Sequence, residues 1–284
     1  MGDVTVRFYG VRGSYPVPKK EVIRYGGNTA TVQITAGDQR LILDAGTGLI
    51  NIGNEFRNGA VNGNRIDLFL THLHLDHIQG LPFFHPVFNP RFEIHIYYPD
   101  FAGVSGEDTI YSLFNAPISP ISMAGIRARL VFHKLPLKGD GRIDVNERLR
   151  VFYIWEDSHP LSGVLIFKVC VAGKEIVYAT DVESRDGFKG DVLSLIRDCD
   201  VLIHDSQYFE ADYYDAAIPK EGFGHSTCAM AVRNAVTARA SRLVLFHYDP
   251  EYSDEDVEKM GSMARDRFAN SLLASESEDL LLRS

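Results

Sequence analysis

The segment Thr71-His72-Leu73-His74-Leu75-Asp76-His77 carries three imidazoles and one carboxylate in its last six residues. It directly follows a strand predicted over residues 65–70, so one turn can present these side chains to the same side. Imidazole nitrogen and carboxylate oxygen are ligands of zinc and related divalent ions, and a catalytic site leaves one position open for water. The segment therefore predicts a catalytic metal centre at the carboxyl end of a strand.

Further ligands are required, because six residues cannot complete the coordination shells of two metal ions. Three candidates each follow a predicted strand farther along the chain: His159, Asp181 and His247. In layered α/β proteins, ligands gather beyond the carboxyl ends of strands. We therefore expect these residues to meet the first segment at one edge of the fold.

Alternating apolar residues predict strands in both halves of the 284-residue chain, with helices between and after them. No low-complexity linker separates the halves, so a single domain over residues 1–284 is expected. Two β-rich halves with outer helices predict an α/β protein with a four-layer αββα sandwich. Residues 99–130, where Gly and Pro punctuate apolar residues, are predicted to form a partly helical lid on the surface.

Several helix boundaries and one tail can also be predicted. Polar residues before apolar runs predict helix N-caps at Ser226 or Thr227 and at Asp254. A short helix is expected over residues 78–84, and the acidic run at residues 275–279 is expected to be a solvated tail.

Composition limits the classes of function. The net charge of −9 opposes non-specific binding to nucleic acid, which favours a small anionic substrate over a long polyanion. The three cysteines have no CxxC spacing and predict neither a disulfide framework nor a zinc knuckle. No apolar run approaches the roughly 18 residues of a membrane span, and the N-terminus begins as a strand and not as a secretory signal. We expect a cytoplasmic protein with no membrane partner.

The ordered motifs resemble those of the metallo-β-lactamase superfamily, and the resemblance spans nearly the whole chain. It implies two groups of metal ligands, which are His72, His74 and His159 for one ion and Asp76, His77 and His247 for the other, with Asp181 bridging. It also implies that Asp44 braces the metal loop without being a ligand. Zinc is the expected ion, with manganese or iron as alternatives, and a hydroxide shared by two such ions would be the nucleophile.

Two further segments look like the paired motifs of the ribonuclease Z and phosphodiesterase branch of that superfamily. They are Val201-Leu202-Ile203-His204-Asp205-Ser206 and Gly222-Phe223-Gly224-His225-Ser226-Thr227. The resemblance implies that His225 donates a proton or contacts phosphate and that Asp205 orients it, so Asp76, Asp205 and His225 are the predicted catalytic residues. The alternative is that His225 only caps or packs the following helix; His204 is expected to be structural.

The spacing between two of the motifs argues against tRNA as the substrate. Only residues 160–180 separate His159 from Asp181, 21 residues in all, which leaves no room for the long tRNA-gripping arm of a true ribonuclease Z. The acidic net charge agrees, since tRNA binding calls for a basic surface. The segments at residues 8–14 and 25–29 look instead like a bacterial subgroup close to small cyclic phosphodiesterases.

Several residues keep two interpretations. Arg12 is either a bidentate phosphate contact or a solvated surface charge, and Asn28 is equally open. The aromatic cluster Tyr208, Phe209, Tyr213 and Tyr214 either stacks a nucleobase or packs beneath the lid. The remaining histidines are expected in the core or on the surface; they are His85, His95 and His133.

The leading hypothesis is a dinuclear metal-dependent phosphodiesterase that hydrolyses a small nucleotide or cyclic phosphodiester. An acyl substrate, either a thioester or a lactone, uses the same metals and is the second hypothesis. A nucleotide-binding sensor with little turnover is the third. A homodimer is the expected assembly, because it is the commonest symmetric one and relatives often dimerise.

Overall fold

The computed structural model describes residues 2–59, 63–100, 103, 105–119, 123–138 and 140–283. The chain forms two seven-stranded sheets. The first contains, in spatial order, β14 (Asp279–Leu282), β1 (Val4–Gly10), β2 (Thr31–Ala36), β3 (Gln39–Leu43), β4 (Arg65–Phe69), β5 (Glu93–Pro99) and β6 (Arg129–Leu135). The second contains β13 (Ser271–Leu273), β12 (Leu243–Phe246), β11 (Val201–Asp205), β10 (Lys174–Ala179), β9 (Val164–Val171), β8 (Leu149–Glu156) and β7 (Asp140–Asn146).

The described residues also form seven α-helices. They are α1 (Leu49–Arg57), α2 (Leu75–Ile78), α3 (Gly106–Ser112), α4 (Gly190–Ile196), α5 (Glu210–Tyr213), α6 (Cys228–Ala238) and α7 (Asp254–Arg265). Short 3₁₀ turns lie at Lys20–Val22, Leu81–Phe83, His85–Phe88 and Met123–Gly125. Within the described residues, no helix has the length and apolar character needed to cross a membrane.

Side-chain alternation along the strands explains the layers. In β3, Leu41 and Leu43 belong to the large core between the sheets, whereas Ile42 packs in a second core with Leu49 and Ile52 of α1. A strand with both faces buried in this way lies in an inner layer. The predicted four-layer αββα sandwich is confirmed.

Parallel pairing brings the strand ends that matter to the site side by side. Strands β3 and β4 are parallel, and so are β10, β11 and β12. Each of these five strands leads to a predicted site residue or to the residue predicted to brace the site. In strand order these are Asp44 after β3, the histidine segment after β4, Asp181 after β10, Asp205 at the end of β11 and His247 after β12. The fold therefore gathers these residues beyond the carboxyl ends of its inner strands.

Two local predictions need correction. Helix α2 begins inside the histidine segment at Leu75 and ends at Ile78, and the rest of the predicted helix at residues 78–84 contains only a 3₁₀ turn at Leu81–Phe83. The N-cap of α7 is Ser253, one residue before the predicted Asp254, because its hydroxyl accepts from the Asp256 amide in a capping box. Of the two N-caps predicted for α6, Ser226 and Thr227, the structure has Thr227.

The acidic run at residues 275–279 is not a solvated tail. Glu276 accepts hydrogen bonds from the backbone and side-chain amides of Asn28, both at 2.7 Å. The run then leads into β14, which pairs antiparallel with β1. The prediction was wrong because the partners of this segment lie more than 240 residues away along the chain.

Helix α3 falls within the predicted lid at 99–130, of which residues 101, 102, 104 and 120–122 lie outside the described part. Ile110 and Phe114 are buried in the same outer core as Ile94 and Ile96. This portion is therefore packed onto the first sheet, and a lid function remains a prediction.

Candidate metal centre and acid pair

The histidine segment is held in place by one buried carboxylate. The backbone amide of Thr71 donates to Asp44 Oδ1 at 2.8 Å, and His77 Nδ1 lies 2.8 Å from Asp44 Oδ2. The Tyr178 hydroxyl, which reaches across from the second sheet, also donates to Asp44 Oδ2 at 2.9 Å. Asp44 thus braces the loop without facing the cluster, as the sequence analysis predicted.

The predicted ligands form two neighbouring groups in the structure. Within each group the candidate ligand atoms all lie within 4.8 Å of one another; the groups are His72, His74 and His159, and Asp76, His77, Asp181 and His247. All seven predicted metal residues are therefore brought together from four separate segments.

Asp181 lies between the two groups. Its Oδ2 is 3.1 Å from His77 Nε2 and 3.3 Å from His247 Nε2. Its Oδ1 is nearest the other group, at 3.7 Å from His72 Nε2 and 3.9 Å from His159 Nε2. One carboxylate thus presents each of its oxygens to a different group of imidazoles.

Unpartnered ring nitrogens test whether this cluster fits a metal. The Nε2 atoms of His72, His77 and His247 are buried and have no hydrogen-bond partner among the described residues. A buried polar atom without a partner is costly, and such atoms call for a ligand or an ion. Because imidazole nitrogens and carboxylate oxygens are also the donor set of divalent transition metals, the residues fit a metal centre.

Electrostatics within the cluster agree with a cation-binding role. Burial alone would raise the pKa of Asp181, but the neighbouring charges of His247, His77 and His72 hold it well below its ordinary value. The carboxylate therefore stays ionised and supplies negative charge in a buried space.

Three residues at or beside the site have an unusual backbone conformation. Asp44, Asp181 and His247 have left-handed backbone with φ of 59°, 55° and 64°. Non-glycine residues avoid this region, and those that adopt it gather at functional sites. Each follows directly or closely on the end of an inner strand, where the chain must change direction.

A second buried carboxylate–imidazole pair adjoins the cluster. His225 Nδ1 lies 2.8 Å from Asp205 Oδ2, while Asp205 Oδ1 accepts from the backbone amides of Gln207 and Ser226 at 3.1 and 3.0 Å. The His225 ring packs against those of His159 and His247, with centroids 5.2 and 5.1 Å apart. Because Nδ1 is occupied by Asp205, Nε2 is the nitrogen of His225 left for a ligand.

The Asp205 carboxylate favours the protonated imidazole. Burial lowers the pKa of His225, but the charge and hydrogen bond of Asp205, helped by Asp181 and Asp76, raise it to about 9. A divalent ion beside Asp181 would oppose part of this rise, since it neutralises one of the contributing charges.

Comparison with known proteins settles the family. The sequence model of a protein family, described as beta-lactamase superfamily domain, matches residues 39–248. The chain belongs to that superfamily. Members of the superfamily typically bind divalent metals, which agrees with the histidine and aspartate clusters.

Several similar proteins align with this chain over most of its length. A ribonuclease Z of Pyrococcus furiosus is 25% identical over 294 aligned residues, which cover 89% of each protein. The metallo-β-lactamase fold protein YhfI of Bacillus subtilis superposes with a TM-score of 0.71 at 15% identity, over 99% of this chain and 100% of that one. A diphosphatase of the PhnP family superposes with a TM-score of 0.68 at 17% identity, over 98% and 97%. The protein is thus a metallo-β-lactamase fold hydrolase with ribonuclease Z homologues.

Glu183 supports the loop that carries His225. The sequence had not indicated a role for this residue. Its Oε1 accepts from the Gly222 amide at 2.8 Å and from Arg185 Nε at 2.6 Å, and its Oε2 accepts from the Gly224 amide at 3.0 Å. The Tyr213 hydroxyl also donates to it. The only sequence signal was an acidic residue two positions after Asp181, which is too weak to act on.

Gly224 links this loop to the metal cluster. Its carbonyl lies 3.0 Å from His159 Nδ1, so it accepts the proton on that nitrogen and leaves Nε2 facing the cluster. The φ of Gly224 is +87°, and a Cβ on this residue would lie only 2.3 Å from His159 Nδ1. Glycine is therefore required at this position for the loop to approach His159.

Both interpretations of Arg12 were wrong, because the side chain is fully buried. Its guanidinium donates to the carbonyls of Gly26, Asp249 and Tyr252 at 2.8, 3.1 and 2.7 Å. Arg12 therefore ties loops together and is not available to a phosphate. Asn28 is likewise engaged, with Glu276 and with the Thr47 hydroxyl.

The other singled-out side chains are not among the seven residues of the metal cluster, although the Tyr208 ring lies beside that of His225, with centroids 6.0 Å apart. His204 is buried and hydrogen-bonded to the Asp205 carbonyl and to Asn234, as expected of a structural residue. His95 and His133 contact each other at 2.9 Å on the first sheet. Of the aromatic cluster, Tyr208 and Tyr213 are buried, which favours packing over base stacking for those two.

Proposed function

We propose that this protein is a metal-dependent phosphodiesterase that hydrolyses a small nucleotide or a cyclic phosphodiester. The observation that carries the proposal is the Asp205–His225 pair beside the metal cluster. A phosphodiester releases an alkoxide, which needs a proton, whereas a thioester releases a thiolate, which is better stabilised without one. A site that combines metal ligands with an oriented imidazole matches the first requirement.

The metal ligands are assigned to two ions, zinc or alternatively manganese or iron. His72, His74 and His159 would hold one, and Asp76, His77 and His247 the other, with Asp181 shared. Bound divalent ions supply Lewis acidity for the phosphoryl oxygens and a hydroxide nucleophile at neutral pH. Asp76 is itself positioned by the Ser14 amide, which donates to its Oδ2 at 2.8 Å.

His225 is assigned the proton transfer to the leaving oxygen through Nε2. Asp205 keeps the proton-bearing Nδ1 pointed at itself, which fixes the tautomer and ring orientation. The two backbone amides on Asp205 Oδ1 in turn hold the carboxylate in place. The proton at Nε2 is therefore presented in one direction only.

The segment between His159 and Asp181 supports a small substrate. It consists of β9, β10 and two short turns, at residues 160–163 and 172–173. We propose that tRNA is not a substrate of this protein, although the Pyrococcus furiosus relative is named ribonuclease Z. The net charge of −9 points the same way.

A hydrolysis assay tests the proposal. Protein loaded with zinc or manganese is expected to hydrolyse bis(p-nitrophenyl) phosphate, and a chelator is expected to abolish the activity. Turnover of thioesters or lactones without any phosphodiester turnover would replace the proposal with the acyl alternative. Tight nucleotide binding without product would indicate a sensor.

A further inference from the structure

A cleft of about 660 Å³ opens directly beside the candidate metal centre. His74 and His159, both assigned as metal ligands, form part of its lining. Small-molecule sites have volumes of roughly 300–1,000 Å³, so the cleft is large enough for a nucleoside. Any group that lies in it is also next to the metal cluster.

Much of the remaining lining of the cleft is apolar and partly exposed. Leu73, Leu137, Trp155 and Leu161 line it, and Leu161 is fully exposed. Exposed apolar side chains beside a polar site mark a place where a ligand covers them.

The indole of Trp155 is held in one orientation. Its Nε1 donates to the Ser162 carbonyl at 3.1 Å. Gly163 lies close to the ring, because a Cβ added there would be only 2.4 Å from Nε1. A fixed aromatic side chain suits a flat ligand, since little conformational freedom is lost on binding.

The charge of the lining excludes one class of ligand. Apart from the two histidines, Asp157 is the single ionisable residue among the described residues that line the cleft, and neither Lys nor Arg is among them. Away from the candidate metal ligands, a phosphate in this cleft would meet the Asp157 carboxylate and neither a lysine nor an arginine of the lining. The lining therefore suits an uncharged group.

We propose that this cleft binds the nucleobase and sugar of the substrate and that Asp157 disfavours a second phosphate there. The inference rests on the proposed function, because it takes the scissile phosphodiester to lie at the metal centre. It adds the substrate class, a nucleotide with one phosphate at the metals and an uncharged nucleoside beside them.

Intrinsic fluorescence provides a direct test, because Trp155 is the only tryptophan in the chain. Full-length metal-loaded protein is titrated with adenosine, adenosine 5′-monophosphate and inorganic phosphate. Adenosine and its monophosphate are expected to change the fluorescence in a saturable manner, whereas inorganic phosphate leaves it unchanged. A signal that neither adenosine nor its monophosphate alters would overturn the assignment.

Variants test the two parts of the inference by calorimetry. Trp155→Ala is expected to weaken binding of adenosine 5′-monophosphate by about tenfold or more, while Trp155→Phe retains most of the affinity because the aromatic face remains. Equal losses in both variants, with metal content unchanged, would contradict stacking on this side chain.

Asp157→Asn tests the charge discrimination. The quantity compared is the ratio of the affinity for adenosine 3′,5′-bisphosphate to the affinity for adenosine 5′-monophosphate. This ratio is expected to be several-fold higher in Asp157→Asn than in the wild type. The control is Asp186→Asn, which changes an exposed acid that does not line the cleft, and it should leave that ratio unchanged. An identical ratio in Asp157→Asn and wild type would refute the role of Asp157.

The outcomes separate the two proposals. Fluorescence changes with adenosine but no phosphodiester hydrolysis would remove the proposed function and leave the nucleoside cleft standing. Hydrolysis of bis(p-nitrophenyl) phosphate with no response to adenosine or its monophosphate would remove the cleft assignment alone.

Discussion

Two buried carboxylate–imidazole pairs occupy the same edge of the sandwich, and they differ in what the second ring nitrogen meets. In both Asp44–His77 and Asp205–His225, an Oδ2 atom lies 2.8 Å from Nδ1. His77 Nε2 is buried without a hydrogen bond, 3.1 Å from Asp181. The His225 side chain remains 11% exposed, and its Nε2 is not among the buried unpartnered atoms of the described residues. This difference is why we propose His77 as a metal ligand, with its free nitrogen enclosed by carboxylates, and His225 as a proton donor, with its free nitrogen open to solvent and substrate.

Among the substitutions that test this comparison, His225→Ala is expected to have the largest effect. Loss of an oriented general acid is expected to lower kcat by roughly 10²–10⁴-fold, while metal content stays near that of the wild type. The control is Asp181→Ala, which should lose metal because it removes the carboxylate between the two groups. Metal analysis with steady-state kinetics on both variants decides, and loss of a metal equivalent in His225→Ala would make His225 a ligand.

A smaller effect is expected from Asp44→Ala. Without its brace, His77 loses orientation and basicity, so metal affinity should fall by roughly 10–100-fold. The matched variant Asp205→Ala should keep wild-type metal affinity and lose turnover instead. Competition with a chromogenic chelator measures both. Equal losses of metal affinity would erase the distinction between the two pairs.

The smallest effect is expected from Glu183→Ala, which frees the amides of Gly222 and Gly224 and loosens the loop that carries His225. We expect a loss in kcat of about tenfold, or ~1.4 kcal/mol. If Glu183 acts through His225, the same substitution should cost little in a His225→Ala background. Glu221→Ala, which removes a neighbouring exposed carboxylate paired with Arg185, is the control. Fully additive losses would assign Glu183 a general structural role.

Prediction from sequence succeeded where the determinants are local. Ligand chemistry is a property of residue type, so the segment from His72 to His77 by itself indicates a metal site. Strand ends could be located from apolar periodicity, which placed His159, Asp181 and His247 at the same edge. The cap at Thr227 was predictable for the same reason, because its hydrogen bond closes within three residues.

Prediction failed where the partner is distant along the chain. Arg12 looked like an exposed loop residue, yet its guanidinium binds carbonyls of Asp249 and Tyr252, 237 and 240 residues away. Glu276 likewise looked like part of a solvated tail, yet it accepts a hydrogen bond from Asn28, 248 residues away. Helical and strand periodicity carry no information about such contacts.

The sequence by itself thus predicted most strands and helices of the sandwich from apolar periodicity, and the metal-binding character of the segment from His72 to His77 from residue type and short spacing. The grouping of the ligands and the roles of Asp205 and His225 came from the resemblance to the superfamily. The tertiary structure decided which nitrogen of His77 and His225 is free and that Glu183 holds the His225 loop. It also decided that a largely apolar cleft beside Trp155, with Asp157 in its lining, adjoins the candidate metal centre. These features depend on how the two sheets pack. Packing brings together side chains whose separation in sequence says nothing about their separation in space.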